Sequence, residues 1–252
     1  MTNLITFRDG LSLTELQLHD FDVRGAVLIG SKRAIVWDTL SHPRDMAAVA
    51  ALVADHEHAV VYSHADWDHC WGTAGLPKRQ TVIAHSHCRR RFESECAATL
   101  REKQAAEPGA WEEVELIPPT RVLQESLSLD LGGCILELYH LPGHTSDCLV
   151  GFIPEWGILL AGDTVETPLP VVNAESPLPQ WIAGLQRWVD DARVQTVIPA
   201  HGVIGGREII QTNLSYLHSL LAGSAGDAAP DWPAFYRDTH RENLRHAFKF
   251  FN

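Results

Sequence analysis

Apolar residues fall into short runs broken by polar residues and glycine, the pattern of strands buried in a layered core. Residues 26–30 (AVLIG), 34–38 (AIVWD), 58–63 (HAVVYS) and 81–85 (TVIAH) form such runs in the first half. Residues 135–141 (ILELYHL), 148–153 (CLVGFI), 157–162 (GILLAG) and 196–200 (TVIPA) form them in the second. Helical spacing of apolar positions predicts helices over 43–56, 85–106, 178–192, 206–223 and 234–251. Strands and helices in both halves predict an α/β sandwich.

Residues 107–120 (EPGAWEEVELIPPT) lack periodicity and predict a loop. Residues 222–233 (AGSAGDAAPDWP) have linker composition, ahead of an amphipathic final helix. With 252 residues the chain has length for one large domain, read here as 1–222, with 223–252 a linker and helix packed on the same body.

Charge narrows the partners. A formal net charge of -12 argues against an electrostatic grip on nucleic acid or an anionic membrane, and favours a small-molecule substrate. The start of the chain has no basic-then-apolar signal region and no apolar stretch long enough to span a bilayer, so a cytoplasmic protein is expected. Five scattered cysteines without a C-x-x-C pair predict reduced thiols.

The chemistry sits where apolar runs stop. His64 follows AVVYS, His144 follows LELYHLPG, Asp163 follows ILLAG and His201 follows TVIPA. Strand ends gathered on one rim are how a rigid sheet collects ligands from distant sequence. The segment 64–69 adds Asp66, Asp68 and His69.

These motifs, SHADWDH, LPGHTSD, AGDT and PAHG, occur in an order and approximate spacing that resemble the metallo-beta-lactamase superfamily, and residues 118–145 resemble its central stretch. The resemblance implies an αββα four-layer sandwich with metals at one edge of two sheets. It also implies a metal-dependent hydrolase in which a hydroxide bridging two divalent metal ions attacks an ester, thioester, lactone or phosphodiester. By the family pattern His64, Asp66 and His144 hold one ion, Asp68, His69 and His201 hold the other, and Asp163 bridges. Asp68 is in addition the catalytic candidate, orienting the hydroxide or carrying its proton.

One residue departs from the family's H-x-H-x-D-H pattern: Asp66 stands where the second histidine is expected. A carboxylate makes that site harder, so zinc is joined by iron and manganese as candidates. An iron-dependent redox enzyme of flavodiiron or persulfide dioxygenase type, with one or two irons, is therefore the alternative reading.

Around these residues, Gly143 and Gly162 are expected to allow tight turns, Thr145 and Thr164 to bond ligands, and Asp38 to serve as loop architecture or to support a ligand rather than to be one. Cys70 is either a metal-facing thiolate or a buried inert thiol. His85 and His87 are expected to be structural or pocket-rim residues, Arg89, Arg90 and Arg91 a solvated helix face or, for one of them, a contact to an anionic substrate, and Trp67 a pocket wall or a core residue. Substrate selection is expected from residues 107–120, 167–179 and the C-terminal segment.

Overall fold

A strand that is apolar on both faces must be covered on both, and this requirement organises the molecule. The computed structural model describes residues 2–77 and 81–250; Met1, Lys78, Arg79, Gln80, Phe251 and Asn252, the last two ending the expected C-terminal segment, lie outside them. In chain order the elements are β1 (Asn3–Arg8), β2 (Leu11–Gln17), β3 (Asp22–Ile29), β4 (Ala34–Trp37), α1 (Ala47–Val53), β5 (His58–Val61), the single turn α2 (Trp67–Cys70), β6 (Thr81–His85), α3 (Ser86–Ser94) and α4 (Cys96–Ala106). There follow β7 (Arg121–Leu123), β8 (Ser126–Asp130), β9 (Ile135–His140), β10 (Leu149–Ile153), β11 (Ile158–Gly162), α5 (Leu178–Asp190), β12 (Thr196–Pro199), α6 (Arg207–Leu221) and α7 (Ala234–Ala247).

A seven-stranded sheet runs β1-β2-β3-β4-β5-β6-β7, and a five-stranded sheet runs β12-β11-β10-β9-β8. Between them lies a core that includes Leu28, Ile35, Trp37 and Val61 from one sheet and Leu136, Leu138, Leu149 and Leu160 from the other. A second core joins the outer face of the first sheet to the helices through Val36, Val49, Val60, Cys88 and Phe92. A third joins the second sheet to α5 and α6 through Val150, Phe152, Trp181 and Leu214. The layers are thus αββα, the architecture that the resemblance implies. Strands β4, β10 and β11 are buried at every position, as strands covered on both faces must be.

Two differences from the sequence pattern have clear causes. Cys88, Phe92, Cys96 and Leu100 keep a four-residue spacing and all pack on the outer core, so the pattern reads as one helix. The chain nevertheless breaks at Glu95, at φ −129 and ψ −35, into α3 and α4. Strands β1, β2, β7 and β8 fall outside the predicted runs. β1 is an edge strand exposed at nearly every position and β8 buries only Leu129, so sheet pairing rather than an apolar run makes them strands.

Backbone bonds tie the sheet rims together where the strand ends collect. Leu149 N–H donates to Ser63 O at 2.8 Å, and Arg24 N–H donates to Ala200 O at 2.8 Å. The guanidinium of Arg24 adds Nη1 bonds to Pro199 O at 2.8 Å and Gly202 O at 3.1 Å. No helix among the described residues is long and apolar enough to cross a membrane.

The C-terminal helix is stitched to the loop that follows β11. Buried Asn243 accepts from Val172 N–H at 2.8 Å, and its amide donates to Pro170 O at 2.8 Å and to Tyr216 Oη at 3.1 Å. Asn243→Ala strands a buried backbone N–H and a carbonyl, each costing about 1–3 kcal/mol. We expect a loss of about 2 kcal/mol or more, seen in thermal unfolding as a Tm roughly 4–8 °C lower.

Candidate metal centre

Each metal-type residue sits just beyond an apolar strand or in a loop pinned to one. The parallel neighbours β4 and β5 end side by side, with Asp38 N–H donating to Val61 O at 2.9 Å. They deliver Asp38 from one and Ser63, His64 and the α2 turn from the other. The parallel pair β11 and β12 delivers Asp163 and His201. His144 lies in the connection between β9 and β10.

Gly162 has φ +51, and a Cβ there would stand 2.9 Å from Ser63 Cβ. A side chain at this position would be strained in its backbone and would push the two rims apart. Gly143 matters for a different reason: its φ is not positive, but a Cβ would stand 2.7 Å from the Trp181 indole.

The seven residues expected to hold metal are brought together in three overlapping groups: His64, Asp66 and His144; His64, His69 and Asp163; Asp68, His69 and His201. In each, the candidate ligand atoms lie within 4.8 Å of one another. Asp163 spans the middle: Oδ1 stands 3.3 Å from both His69 Nε2 and His201 Nε2, while Oδ2 stands 3.6 Å from His64 Nε2 and 3.8 Å from His144 Nε2. Asp68 Oδ2 lies 3.7 Å from His69 Nε2 and 3.6 Å from His201 Nε2. Asp66 Oδ2 lies 3.1 Å from His144 Nε2 and 3.5 Å from His64 Nε2.

Apart from the Asp66–His144 pair, which is at hydrogen-bond distance, these separations fit ions better than they fit hydrogen bonds. Two donors each about 2.0–2.1 Å from one tetrahedral ion stand about 3.3–3.4 Å apart. His64 Nε2, His69 Nε2 and Asp163 Oδ1 are buried with no hydrogen-bond partner among the described residues, a costly state that a cation in their midst relieves. The donor set of imidazole nitrogen and carboxylate oxygen suits a divalent metal.

The opposite edge of each imidazole is clamped, which decides where its lone pair points. His144 Nδ1 faces Val171 O at 2.9 Å, and His201 Nδ1 faces Asp22 O. A carbonyl only accepts, so both Nδ1 atoms carry hydrogen. His69 Nδ1 meets the Asp38 carboxylate at 3.0 Å. Ser63 Oγ spends its proton on Asp38 Oδ2 at 2.7 Å, so it accepts from His64 Nδ1 at 3.0 Å. All four rings therefore turn Nε2 inward.

Asp38, read from the sequence as loop architecture or as support for a ligand, is the hub of these clamps. It is buried at φ +57, where Asp is among the residues best tolerated. Besides His69 and the serine hydroxyl, it accepts Ser63 N–H at 2.7 Å.

Asp66 precedes the α2 turn at its N-cap position yet caps nothing. Its Oδ1 instead accepts Arg91 Nη2 at 2.6 Å. Arg91 also donates to Asp147 Oδ1 at 3.0 Å and Glu95 Oε1 at 2.8 Å, while Asp147 Oδ2 accepts Ala65 N–H at 2.9 Å. The expected solvated arginine face is thus corrected at Arg91, which reaches across to the ligand loop. Arg89 is likewise engaged, on Pro119 O.

Other neighbours sort as follows. Thr145 bonds Cys148 Sγ and Thr164 bonds Ala161 O, so neither supports a ligand side chain as expected. Asn173 and Ser176 do so through the backbone of His144, at 3.1 and 2.8 Å. Cys70 donates to the carbonyls of Ala65 and Asp66, and burial pushes its thiol well up, the inert alternative. His85 stacks on His140 and bonds Gln124 O, outside all three groups.

The segments expected to select substrate all reach the rim. Trp111 of the 107–120 loop meets Trp67 edge-on at 5.6 Å between centroids. Phe235 of α7 lies 5.1 Å from Phe21, which lies 5.1 Å from the His201 ring. Phe21 carries no motif signal, so nothing in the sequence marks it for this place.

Burial disfavours every charge here, but the groups override it together. For His144 the bond to Asp66 and the charge of Asp163 lift the pKa to about 9; for His201, Asp163 lifts it to about 10. His64 and His144 in turn hold Asp66 well below the carboxylate range, and His69, His201 and His64 do the same for Asp163.

Protons and metal ions therefore compete for the same Nε2 atoms. Loading the metal-free protein near pH 8 should expel protons from His144 and His201, and the release should fall as pH rises through 9 and 10, where the free rings have already lost them. Titration calorimetry in buffers of different ionisation enthalpy counts these protons. Asp38→Asn, which tolerates the same backbone but removes the charge facing His69, should weaken metal binding about 10- to 100-fold in chelator competition.

Comparison with known proteins agrees with this architecture. The family model described as the metallo-beta-lactamase superfamily matches residues 21–203. A Gallus gallus protein named acyl-coenzyme A thioesterase MBLAC2 is 28% identical over 213 residues, which is 71% of this chain and 72% of that protein. A metallo-beta-lactamase from Pontibacter korlensis superposes with a TM-score of 0.68 at 17% identity, over 86% of this chain and 99% of that one. The metallo-beta-lactamase FIM-1 from Pseudomonas aeruginosa, in its mono-zinc form, gives 0.68 at 20% identity, over 89% of this chain and 97% of that one. With its layers, its strand-end residues and a family match over most of its length, this chain belongs to the metallo-beta-lactamase superfamily.

Proposed function

We propose that this protein is a two-metal hydrolase of thioesters. The observation that carries the reading is the convergence of four inward Nε2 atoms on three carboxylates at ion-sharing distances. The thioester class is supported by the name of the Gallus gallus relative. It is also supported by the aromatic rim of Phe21, Trp67 and Phe235, apolar surface suited to an acyl group.

His64, Asp66 and His144 would hold one cation, Asp68, His69 and His201 the other, with Asp163 between. When bound, two divalent cations supply polarisation of the scissile carbonyl and acidify the attacking water. Asp68 orients that water and takes its proton at a carboxylate oxygen. The water oxygen bonds to the carbonyl carbon, the C–S bond breaks, and the proton passes to the departing sulfur. The products are a carboxylic acid and a thiol.

Zinc is the first choice of metal. Asp66 by itself argues for a harder ion and for iron redox chemistry, but the Arg91 guanidinium at 2.6 Å offsets much of its extra negative charge. Elemental analysis of purified protein separates the two readings: about two zinc ions per chain supports the hydrolase, and iron as the tightly held metal supports the redox alternative.

Asp68→Ala is expected to lower thioester hydrolysis by about 10²-fold or more in kcat. Near-normal turnover with metal retained would remove Asp68 from the mechanism. Chelation should abolish the activity and added zinc or manganese should restore it.

A further inference from the structure

The helix α4 presents Cys96, Thr99 and Lys103 at the i, i+3, i+7 spacing of a single helical face. Cys96 and Thr99 line a small cavity beside the ligand loop together with Asp66, Trp67 and Trp71. One turn further on, the ammonium of Lys103 sits 3.6 Å from the centroid of the Trp67 ring and 5.3 Å from that of Trp111. Trp67 lies between Asp66 and Asp68 in the chain, and its ring meets Phe21 at 6.4 Å between centroids, which in turn meets the His201 ring at 5.1 Å, so the cation rests on an indole that reaches the mouth of the metal centre.

Its surroundings set Lys103 apart from the other cation at the loop. Arg91 is consumed by Asp66, Glu95 and Asp147. Lys103 makes no ion pair with any carboxylate among the described residues; it only feels the fields of Glu107 and Asp68, while burial against the indoles pulls its pKa below the ordinary value. The side chain is half-buried. Trp67, Trp71 and Trp111 meet one another edge-on, which fixes the Trp67 and Trp111 ring faces that Lys103 lies over. A lysine held over an aromatic face, partly dehydrated and without a counter-ion, is a preorganised receptor for an anion.

We propose that Lys103 is a specificity-determining residue that binds an anionic group, carboxylate or phosphate, carried by the substrate on the acyl or the thiol side of its scissile bond. The proposal rests on the thioester reading for its substrate and gives that substrate a charge. Trp67 then has two roles, walling the site and carrying the cation. In a chain of formal net charge -12, a local positive site of this kind lets a negatively charged substrate approach.

The test uses the metal-loaded full chain and matched thioesters. Butyryl N-acetylcysteamine is the neutral reference, succinyl N-acetylcysteamine places a carboxylate on the acyl side, and butyryl phosphopantetheine places a phosphate on the thiol side. In Lys103→Met, which keeps the stem over Trp67, the ratio of kcat/KM for an anionic over the neutral substrate should fall about tenfold. Lys103→Arg should restore it. The arm that responds identifies the side of the substrate that carries the anion. An unchanged ratio in both arms, with metal content equal to wild type, overturns the proposal.

Failure of the thioester reading is separable. If wild type hydrolyses none of the three, Lys103 is decided by binding of glutarate and inorganic phosphate, followed by tryptophan fluorescence. A Kd about tenfold weaker in Lys103→Met for either anion supports the receptor, and equal Kd values for both overturn it.

Discussion

Three carboxylates and four imidazoles share one buried rim, and the molecule has to keep them together against their own desolvation. Neither an apolar core nor water satisfies such a cluster; only cations or protons do. The lifted pKa values of His144 and His201, and the lowered ones of Asp66 and Asp163, express that demand in the metal-free chain. The surrounding scaffold reads as the means of holding the cluster. Two sheets pack their apolar faces together so that strand ends from both meet, and bonds from Leu149 to Ser63 and from Arg24 to Ala200 keep the rims in register. Pinning Nδ1 of each ring leaves Nε2 as the one free coordinating atom, so orientation is settled before any ion arrives.

Asp66 changes the charge arithmetic of this centre, and the fold answers it. Replacing a neutral imidazole by a carboxylate adds negative charge on one side. Arg91 comes from α3 to share it, and is itself held by Asp147, whose other oxygen anchors the backbone of Ala65. Asp66, Arg91 and Asp147 therefore behave as one unit that sets both the position and the basicity of the carboxylate. The full burial of Asp147 makes the arrangement rigid and weakens the case that Asp66 by itself selects a harder metal.

Around the mouth, chemistry gives way to shape. Phe21 from the approach to β3, Trp111 from the 107–120 loop and Phe235 from the C-terminal helix come from three distant parts of the chain and surround Trp67 and His201. Lys103 supplies the positive element of that wall. The C-terminal helix is therefore more than a cover: Asn243 fixes the same loop whose Val171 carbonyl orients His144.

Fold class, all eight apolar strand runs and the seven residues that gather at the rim are legible in the amino-acid order. The strand runs and the strand-end residues His64, His144, Asp163 and His201 are local facts: an apolar run makes a buried strand, and a polar residue just past its end is delivered to the edge; the αββα layering and the places of Asp66, Asp68 and His69 follow from the resemblance of the motifs to the family. Long-range packing supplies what local order cannot carry. The ring of His201 is turned by the carbonyl of Asp22, 179 positions away, and a backbone acceptor has no letter in the sequence. Arg91 looks like any arginine on a helix until packing sets it on Asp66, and the break at Glu95 is hidden by apolar spacing that runs straight through it. Edge strand β1 lacks the buried face that would betray it. Identity and spacing name the atoms able to bind a cation; only contacts between distant segments aim them, balance their charge and build the wall that a substrate meets.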